Sequence, residues 1–162
     1  MMFQQQNYNG DLTAKYNLLA KQLDALLEGE LDNVSNLSNA SALLNQFLDN
    51  INWCGFYVSK NNELLLGPFQ GLPACVHIPF GKGVCGTAAQ SQKTLVVEDV
   101  HAFPGHIACD SASQSEIVVP IIKEQSLFGV LDIDSPIKNR FSKEDQAGLE
   151  QFVSILTKHL YE

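Results

Sequence analysis

The apolar periodicity of the chain changes twice, and this change limits the folds that it can adopt. Apolar side chains recur at helical spacing over residues 12–28 and 37–48, and again in a last helix that begins at Ser142. Between these segments lie short runs with the alternation and turn residues of strands. The pattern predicts an α+β fold in which the terminal helices pack together on one face of a sheet.

The strand runs are joined by connections that indicate hairpins. Lys60-Asn61-Asn62 follows one run, and Glu124-Gln125 lies between two others. Such connections favour an antiparallel sheet. The predicted strands are 53–58, 63–68, 73–79, 95–98, 117–122 and 127–133, with a short helix over 84–90. Asp11 is the expected N-cap of the first helix, and Ser142 opens a capping box at the last.

Size and charge exclude several classes of function. The chain has 162 residues, which is the size of one domain, and we predict a single domain over 1–162. The net charge is −8 with only 10 Lys and Arg, so we expect no nucleic-acid partner. No apolar run reaches the length of a membrane span, and the first residues do not resemble a signal peptide. Four cysteines in such a chain indicate a reducing compartment, and we predict the cytoplasm.

Three cysteines stand in contexts that suit redox chemistry. Cys109 lies in the loop 99–115, which has no periodicity and is long enough to be functional. Cys85 lies at the start of the short helix, where free N–H groups and the helix dipole favour a thiolate. Cys75 follows a turn that contains Pro73. A thiolate is a strong nucleophile, and a second thiol can resolve what the first one forms. Cys54, within an aromatic strand, is instead interpreted as core.

Three acidic residues lie in or beside apolar strands. Asp132 and Asp134 are two positions apart and therefore share one face of a strand. Like charges disfavour ionisation, so we expect at least one carboxyl pKa to rise, which allows proton donation near neutral pH. Glu116 precedes the neighbouring strand and is expected to join the cluster. The alternative interpretation is a polar strand end before Pro136.

Aromatic and histidine side chains complete the set of candidates. Trp53 and Tyr57 share a strand face and are candidates for the wall of an apolar pocket, although core packing is the commoner role. His101 and His106 flank Pro104 on the loop. We interpret both as solvated, and the alternative is a loop histidine that assists a thiolate. Histidine and cysteine show no familiar zinc spacing along the chain, so we predict no metal site.

Six short runs carry a family resemblance. They are WCGFY at 53–57, LGPFQG at 66–71, GVCG at 83–86, FPGHIACD at 103–110, SEIVVP at 115–120 and GVLDIDS at 129–135. In these runs the chain resembles the free methionine-(R)-sulfoxide reductases, which are built on a GAF domain. The resemblance covers nearly the whole chain and implies an antiparallel sheet of about six strands with helices on its faces.

The resemblance also implies roles for the candidate residues. Cys109 would be the nucleophile, and either Cys85 or Cys75 would close a disulfide with it. The pocket for free methionine-(R)-sulfoxide would use Trp53, Tyr57, Glu116, Asp132 and Asp134. The loop 99–115 would close over it as a lid. The protein would need no bound cofactor but an external thioredoxin-like reductant, and a homodimer is a further expectation because family members can pair.

Two rival functions come from other classes. GAF domains also serve as non-catalytic sensors that bind a small ligand, and the same thiols would allow a redox sensor without a substrate. Release of methionine from its free sulfoxide distinguishes the enzyme from both sensors.

Overall fold

The computed structural model describes residues 2–107 and 109–162, which form a six-stranded antiparallel sheet with four α-helices. The helices are α1 (Leu12–Leu27), α2 (Asn33–Phe47), α3 (Gly83–Ser91) and α4 (Lys143–Lys158). The strands are β1 (Trp53–Lys60), β2 (Glu63–Gly71), β3 (His77–Pro79), β4 (Leu95–Val97), β5 (Ser115–Lys123) and β6 (Ser126–Ser135). Their spatial order is β3-β2-β1-β6-β5-β4, and every pair is antiparallel. The predicted α+β class and antiparallel sheet are confirmed.

The caps of the terminal helices are those expected from the sequence. The Asp11 carboxylate accepts a hydrogen bond from the backbone N–H of Ala14, 2.8 Å away, and begins α1. At α4 the Ser142 hydroxyl accepts from the Asp145 N–H, while the Asp145 carboxylate accepts from the Ser142 N–H. These bonds satisfy N–H groups that have no partner within the helix.

The second helix begins four residues earlier than its apolar pattern indicates. Asp32 caps it by accepting a hydrogen bond from the Ser35 N–H at 2.7 Å. Its first turn contains Asn36, which is buried although polar. The Asn36 amide donates to the backbone oxygens of Glu30 and His159, so the turn is fixed by hydrogen bonds and not by an apolar stripe.

The larger core lies between one face of the sheet and α1, α2 and α4. The predicted stripe of α4 is fully confirmed, since each of its five apolar residues is buried: Leu149, Phe152, Val153, Leu156 and Leu160. They pack with the inward residues of α1 and with alternate residues of β1, β5 and β6. Cys54 lies in this core, as expected. The predicted packing of the terminal helices on one face is therefore confirmed.

The opposite face of the sheet is covered by α3 and by the segment between β4 and β5. A second apolar cluster forms there, and it includes Trp53, Tyr57 and Cys85. The segment begins with a short 3-10 helix, Val100–Ala102, and otherwise forms turns. Ala108, which belongs to the predicted loop and its FPGHIACD run, lies outside the described residues. This second face holds the candidate site.

The third strand is shorter than predicted: it begins at His77, whereas residue 73 was the expected start. Pro73 has no N–H to give to a sheet ladder. The Val76 backbone oxygen still accepts a hydrogen bond from the Leu66 N–H at 2.9 Å, but the preceding residues leave the sheet edge. They cross toward the second face, where Cys75 lies.

The helices of the described part of the chain include none with the length and apolar character that crossing a membrane requires.

The contact between α1 and α4 predicts an unusual effect of alanine at Gly148. A Cβ atom there would lie 2.1 Å from Cγ of the buried Tyr16 ring. Tyr16 has little room to move, because its hydroxyl donates to the Asp145 carboxylate at 2.7 Å. We therefore expect Gly148→Ala to lower the free energy of unfolding by about 1–3 kcal/mol in urea denaturation.

The control for this variant is Ala147→Gly at the neighbouring exposed position of α4, which tests helix propensity alone and should cost about 1 kcal/mol. If propensity governed Gly148 as well, alanine would instead stabilise the protein by a similar amount. That result would contradict the tight contact with Tyr16.

Candidate functional site

The sheet register places the predicted acids and the tryptophan in one row. Glu116 on β5 is paired with Asp134 on β6, and Asp134 is paired in turn with Trp53 on β1. Residues directly opposite in an antiparallel pair extend to the same side of the sheet. Asp132 lies two positions before Asp134 on β6, and Tyr57 lies four positions after Trp53 on β1. Each pair therefore shares one face of its strand. The structure therefore brings together all five predicted pocket residues on the second face.

The three carboxyl groups form a cluster in which Glu116 and Asp132 are buried and Asp134 is partly buried. Glu116 and Asp132 each retain only 6% exposure. Burial raises the pKa of Glu116 well above its ordinary value, and the charges of Asp132 and Asp134 raise it further. Burial also raises the pKa of Asp134 well above its ordinary value, with Asp132 as the next cause. The expected rise in carboxyl pKa is found, and the cluster can hold and donate protons.

Asp132 differs from the other two acids. Burial raises its pKa too, but hydrogen bonds with the Glu116 and Cys85 side chains oppose the rise. These two hydrogen bonds favour the ionised form of Asp132. Its Oδ1 atom is buried and has no hydrogen-bond partner within the described part of the chain, so this oxygen is suited to receive a cation or a shared proton.

Cys85 faces the acids from the first turn of α3. Its Sγ lies 3.8 Å from Oε2 of Glu116, and the side chain is buried. Burial raises the pKa of this thiol well above its ordinary value, and the charges of Asp132 and Glu116 add to the effect. The prediction that the helix N-terminus favours a thiolate at Cys85 is wrong, because burial among acids outweighs the helix dipole.

An aromatic wall stands beside the acids. The Trp53 ring stacks on Phe69 at 5.1 Å between centroids and on Tyr57 at 5.9 Å. Trp53 Nε1 donates to the Leu72 backbone oxygen at 3.1 Å, and the Tyr57 hydroxyl donates to that of Cys75 at 2.9 Å. These bonds fix both rings and hold the segment that carries Cys75 against the site.

Phe69 belongs to the wall, although sequence reasoning did not select it. It approaches β1 closely because position 55 is glycine: a Cβ atom on Gly55 would lie 2.2 Å from that of Phe69. The glycine within the WCGFY run was the available signal, because a glycine inside a strand often marks close backbone approach.

A disulfide joins Cys75 to Cys109. The two residues are 34 positions apart in the chain, and their Cα atoms lie 5.9 Å apart. Cys109 is exposed and Cys75 is partly exposed, whereas Cys85 and Cys54 are free and buried. Of the two partners that the sequence left open for Cys109, the structure pairs it with Cys75.

Asn52 anchors the loop that carries Cys109. Its amide nitrogen donates to the Asp110 carboxylate at 3.0 Å and lies 3.1 Å from the Ser113 hydroxyl. Asp110 in turn accepts from the Ala112 N–H at 2.8 Å. No local pattern marks Asn52 as a loop anchor, since its partners lie about 60 residues further along the chain.

His106 enters the site, contrary to the interpretation that it is solvated. Its side chain is 13% exposed, and Nε2 lies 4.0 Å from Oε1 of Glu116. Burial lowers the pKa of His106, and the nearby His101 contributes. The imidazole is therefore predominantly neutral at neutral pH. His101 itself is exposed, as interpreted.

These groups surround one cavity of about 40 Å³. Every predicted site residue except Cys75 lines it, and Cys75 is attached to its rim through Cys109. Pockets that hold small ligands usually measure roughly 300–1,000 Å³, so the disulfide form leaves little room for an amino acid. The arrangement combines a thiol pair, proton-holding acids and an aromatic wall, which suits thiol redox chemistry on a small polar molecule.

Comparisons with known proteins agree with the geometry. The GAF domain family model matches residues 22–160. The free methionine-R-sulfoxide reductase of Escherichia coli (strain K12) is 51% identical over 148 residues, which cover 91% of this chain and 90% of that protein.

Two solved structures resemble this one closely. The fRMsr of Staphylococcus aureus in complex with substrate is 56% identical, has a TM-score of 0.87, and is matched over 96% of this chain and 100% of that chain. The free methionine-R-sulfoxide reductase from Neisseria meningitidis in complex with its substrate is 41% identical, has a TM-score of 0.92, and is matched over 98% of this chain and 95% of that chain. These matches extend over both the sheet and its flanking helices.

Proposed function

We propose that this chain, which belongs to the free methionine-R-sulfoxide reductase family of GAF-domain proteins, reduces free methionine-(R)-sulfoxide to methionine. The observation that carries the proposal is the Cys75–Cys109 disulfide at the rim of a cavity that three carboxyl groups line. A disulfide is the product expected when two thiols have supplied two electrons. Buried acids supply the proton that removal of a sulfoxide oxygen requires.

The first step is attack by the Cys109 thiolate on the sulfoxide sulfur. The sulfoxide oxygen is a poor leaving group until it is protonated, and Glu116 or Asp134 would donate the proton. Collapse of the intermediate breaks the sulfur–oxygen bond of the substrate and transfers the oxygen to Cys109. The substrate sulfur is reduced by two electrons and methionine is released, while Cys109 is oxidised to a sulfenic acid.

The second step closes the disulfide. The Cys75 thiolate attacks Sγ of Cys109 and expels the oxygen, which leaves as water after taking up a proton. Two thiols and one sulfoxide therefore give one disulfide, one thioether and one water. Exposure of Cys109 and partial exposure of Cys75 make the bond accessible to an external dithiol, for which a thioredoxin-like protein is our prediction.

The acids also give a reason for selectivity toward the free amino acid. A free methionine sulfoxide carries an ammonium group, which a residue within a peptide lacks. Asp132 is buried, and one of its oxygens has no partner among the residues that the structure describes; a buried carboxylate gains from pairing with a cation. Trp53 and Tyr57 would pack against the apolar methyl end of the substrate and so contribute to the choice of epimer.

A comparison of substrates tests the proposal. Reduced protein is incubated with a thioredoxin system and with free R-sulfoxide, free S-sulfoxide or an N-acetylated R-sulfoxide, and methionine or its derivative is measured. We expect turnover of the free R epimer alone. Absence of turnover with all three substrates would favour a ligand or redox sensor, and equal turnover of the acetylated compound would contradict the role of the acids.

The proton-donor role of Glu116 predicts a large loss of rate in Glu116→Gln. The amide keeps the size of the side chain but cannot donate a carboxyl proton, so kcat/KM should fall about 100-fold. The measurement is the steady-state rate with free R-sulfoxide. Glu150→Gln, at an exposed position of α4 outside the cavity, is the matched control and should leave the rate unchanged. A loss of less than about threefold in Glu116→Gln would remove this residue from the chemistry.

A further inference from the structure

The acid cluster contains one arrangement that the proposed reaction does not use. Cys85, Glu116 and Asp132 each offer a ligand atom, and these atoms all lie within 4.8 Å of one another. The distance from Cys85 Sγ to Glu116 Oε2 is 3.8 Å. Zinc–sulfur and zinc–oxygen bonds of about 2.3 and 2.1 Å at tetrahedral angles place these two ligand atoms roughly 3.6 Å apart. The Cys85–Glu116 pair is therefore spaced about as in a zinc site, and the other two donor pairs lie within 4.8 Å.

An independent observation also points to a ligand. Oδ1 of Asp132 is buried and has no hydrogen-bond partner among the described residues. Buried carboxylate oxygens are costly to leave unpaired, and they are usually satisfied by donors or by cations. Asp132 lies within the same donor group, so a cation bound there would satisfy this oxygen.

His106 lies beside these three donors, although its ring nitrogens are not among the atoms that all lie within 4.8 Å of one another. It enters the proposal as the fourth ligand. Its Nε2 lies 4.0 Å from Oε1 of Glu116, and its side chain is 13% exposed. Thiolate, imidazole and carboxylate are the groups with which proteins bind zinc, and four of them complete its usual coordination. The donors come from α3, β5, β6 and the loop, which explains why spacing along the chain indicated no metal site.

The disulfide form is suited to an ion. Cys75 and Cys109 are joined to each other there, so Cys85 is the thiol that remains in the cavity. The cavity of about 40 Å³ is small for an amino acid, but a space of this size accommodates an ion or a few waters. Lys82 and Ile107, which are both exposed, form part of its lining and connect it with solvent.

We propose that the protein with a closed Cys75–Cys109 disulfide binds one zinc-like divalent cation through Cys85 Sγ, carboxylate oxygens of Glu116 and Asp132, and His106 Nε2. Binding replaces the thiol proton of Cys85 with a metal–sulfur bond and displaces any proton held on the Glu116 and Asp132 carboxyl groups. These protons go to solvent, and no oxidation state changes. The bound ion would occupy the place that the proposed function gives to the substrate ammonium group. Inhibition of the reductase by the bound ion is therefore a consequence that rests on the proposed function. Binding of the ion does not rest on it.

Cobalt provides the direct test, because a Co²⁺–thiolate bond gives a near-ultraviolet charge-transfer band. Protein oxidised to the Cys75–Cys109 form is titrated with Co²⁺, and Zn²⁺ is then added to displace it. We expect one Co²⁺ per chain, a charge-transfer band, and its loss on addition of zinc. Absence of the band in the oxidised protein would overturn the proposal.

Variants identify the ligands. Cys85→Ser should remove the band, while Cys54→Ala, at the other free cysteine, should retain it; a band that survives Cys85→Ser would overturn the assignment. His106→Ala changes a loop residue outside both cores and should lower zinc affinity at least tenfold in competition with a chelator. Unchanged affinity in that variant would remove His106 from the site, and the proposed four-ligand geometry would fail with it.

The experiments can reject the metal site and the proposed reductase function independently of each other. Cobalt binding by a protein that releases no methionine would leave the metal site standing and reject the reductase. Methionine release by a protein that binds no cobalt in its disulfide form would reject the metal site alone.

Discussion

Replacing Cys109 by serine is expected to abolish methionine release, with a loss of more than about a thousandfold in both the first turnover and the steady state. A serine hydroxyl is not ionised at neutral pH and attacks sulfur poorly, while the acids and the aromatic wall stay in place. The measurement is methionine formed from free R-sulfoxide, first without a reductant and then with a thioredoxin system.

Cys54→Ala serves as the control for this variant, because it removes a thiol from the other face of the sheet without touching the cavity. It should retain full activity. Ordinary turnover in Cys109→Ser would contradict the assignment of the nucleophile. Because Cys109 is exposed, we expect the serine variant to keep the fold.

Replacing Cys75 by serine should separate the two steps. The first turnover should proceed at nearly its normal rate, because Cys109 is intact. Recycling through a thioredoxin system should be lost, because no thiol is in place to condense with the sulfenic acid on Cys109. The sulfenic acid should therefore accumulate, and a 1,3-dione reagent that traps this group should label Cys109.

The matched variant is Cys85→Ser, which removes the other thiol near the cavity. Its Sγ faces Glu116 and not Cys109 in the disulfide form, so recycling should continue. Loss of recycling in Cys85→Ser with normal recycling in Cys75→Ser would reverse the assignment. Normal recycling in both variants would reject the intramolecular disulfide.

Local patterns were sufficient for most of the fold. The apolar stripe of α4, its capping box and the N-cap of α1 are all set by residues within a few positions of one another. Hairpin turns fix the neighbours β1–β2 and β5–β6 in the same way. The start of α2 was missed because Asn36 is held by His159, which lies 123 residues further along the chain. The short β3 was missed because the segment before it is drawn to the opposite face.

In the candidate site, too, local patterns predicted some residues, whereas contacts between distant segments determined the others. Alternation along strands placed Asp132 beside Asp134 and Trp53 on one face with Tyr57, and Glu116 was expected from the neighbouring strand. The resemblance implied the same five residues, and the register brings them together. Contacts between distant segments gave no local signal. The pairing of Cys75 with Cys109, the entry of His106 and the anchoring by Asn52 each depend on how the loop lies over the sheet.

Cys85 shows why position in a helix does not determine reactivity. Its place in the first turn of α3 predicts a lowered thiol pKa, yet burial beside Asp132 and Glu116 raises it. The helix dipole contributes about 1–2 kcal/mol, whereas desolvation of a buried thiolate and the nearby carboxylates can shift a pKa by several units in the opposite direction. Only the three-dimensional packing shows which of them prevails.

The most direct test of the central claim is a single turnover without an external reductant. Fully reduced protein is mixed with excess free methionine-(R)-sulfoxide, and both methionine and remaining thiols are counted. We expect one methionine released per chain, two thiols lost per chain, and a peptide map that joins Cys75 to Cys109. Methionine release without thiol loss, or thiol loss without methionine, would contradict the central claim.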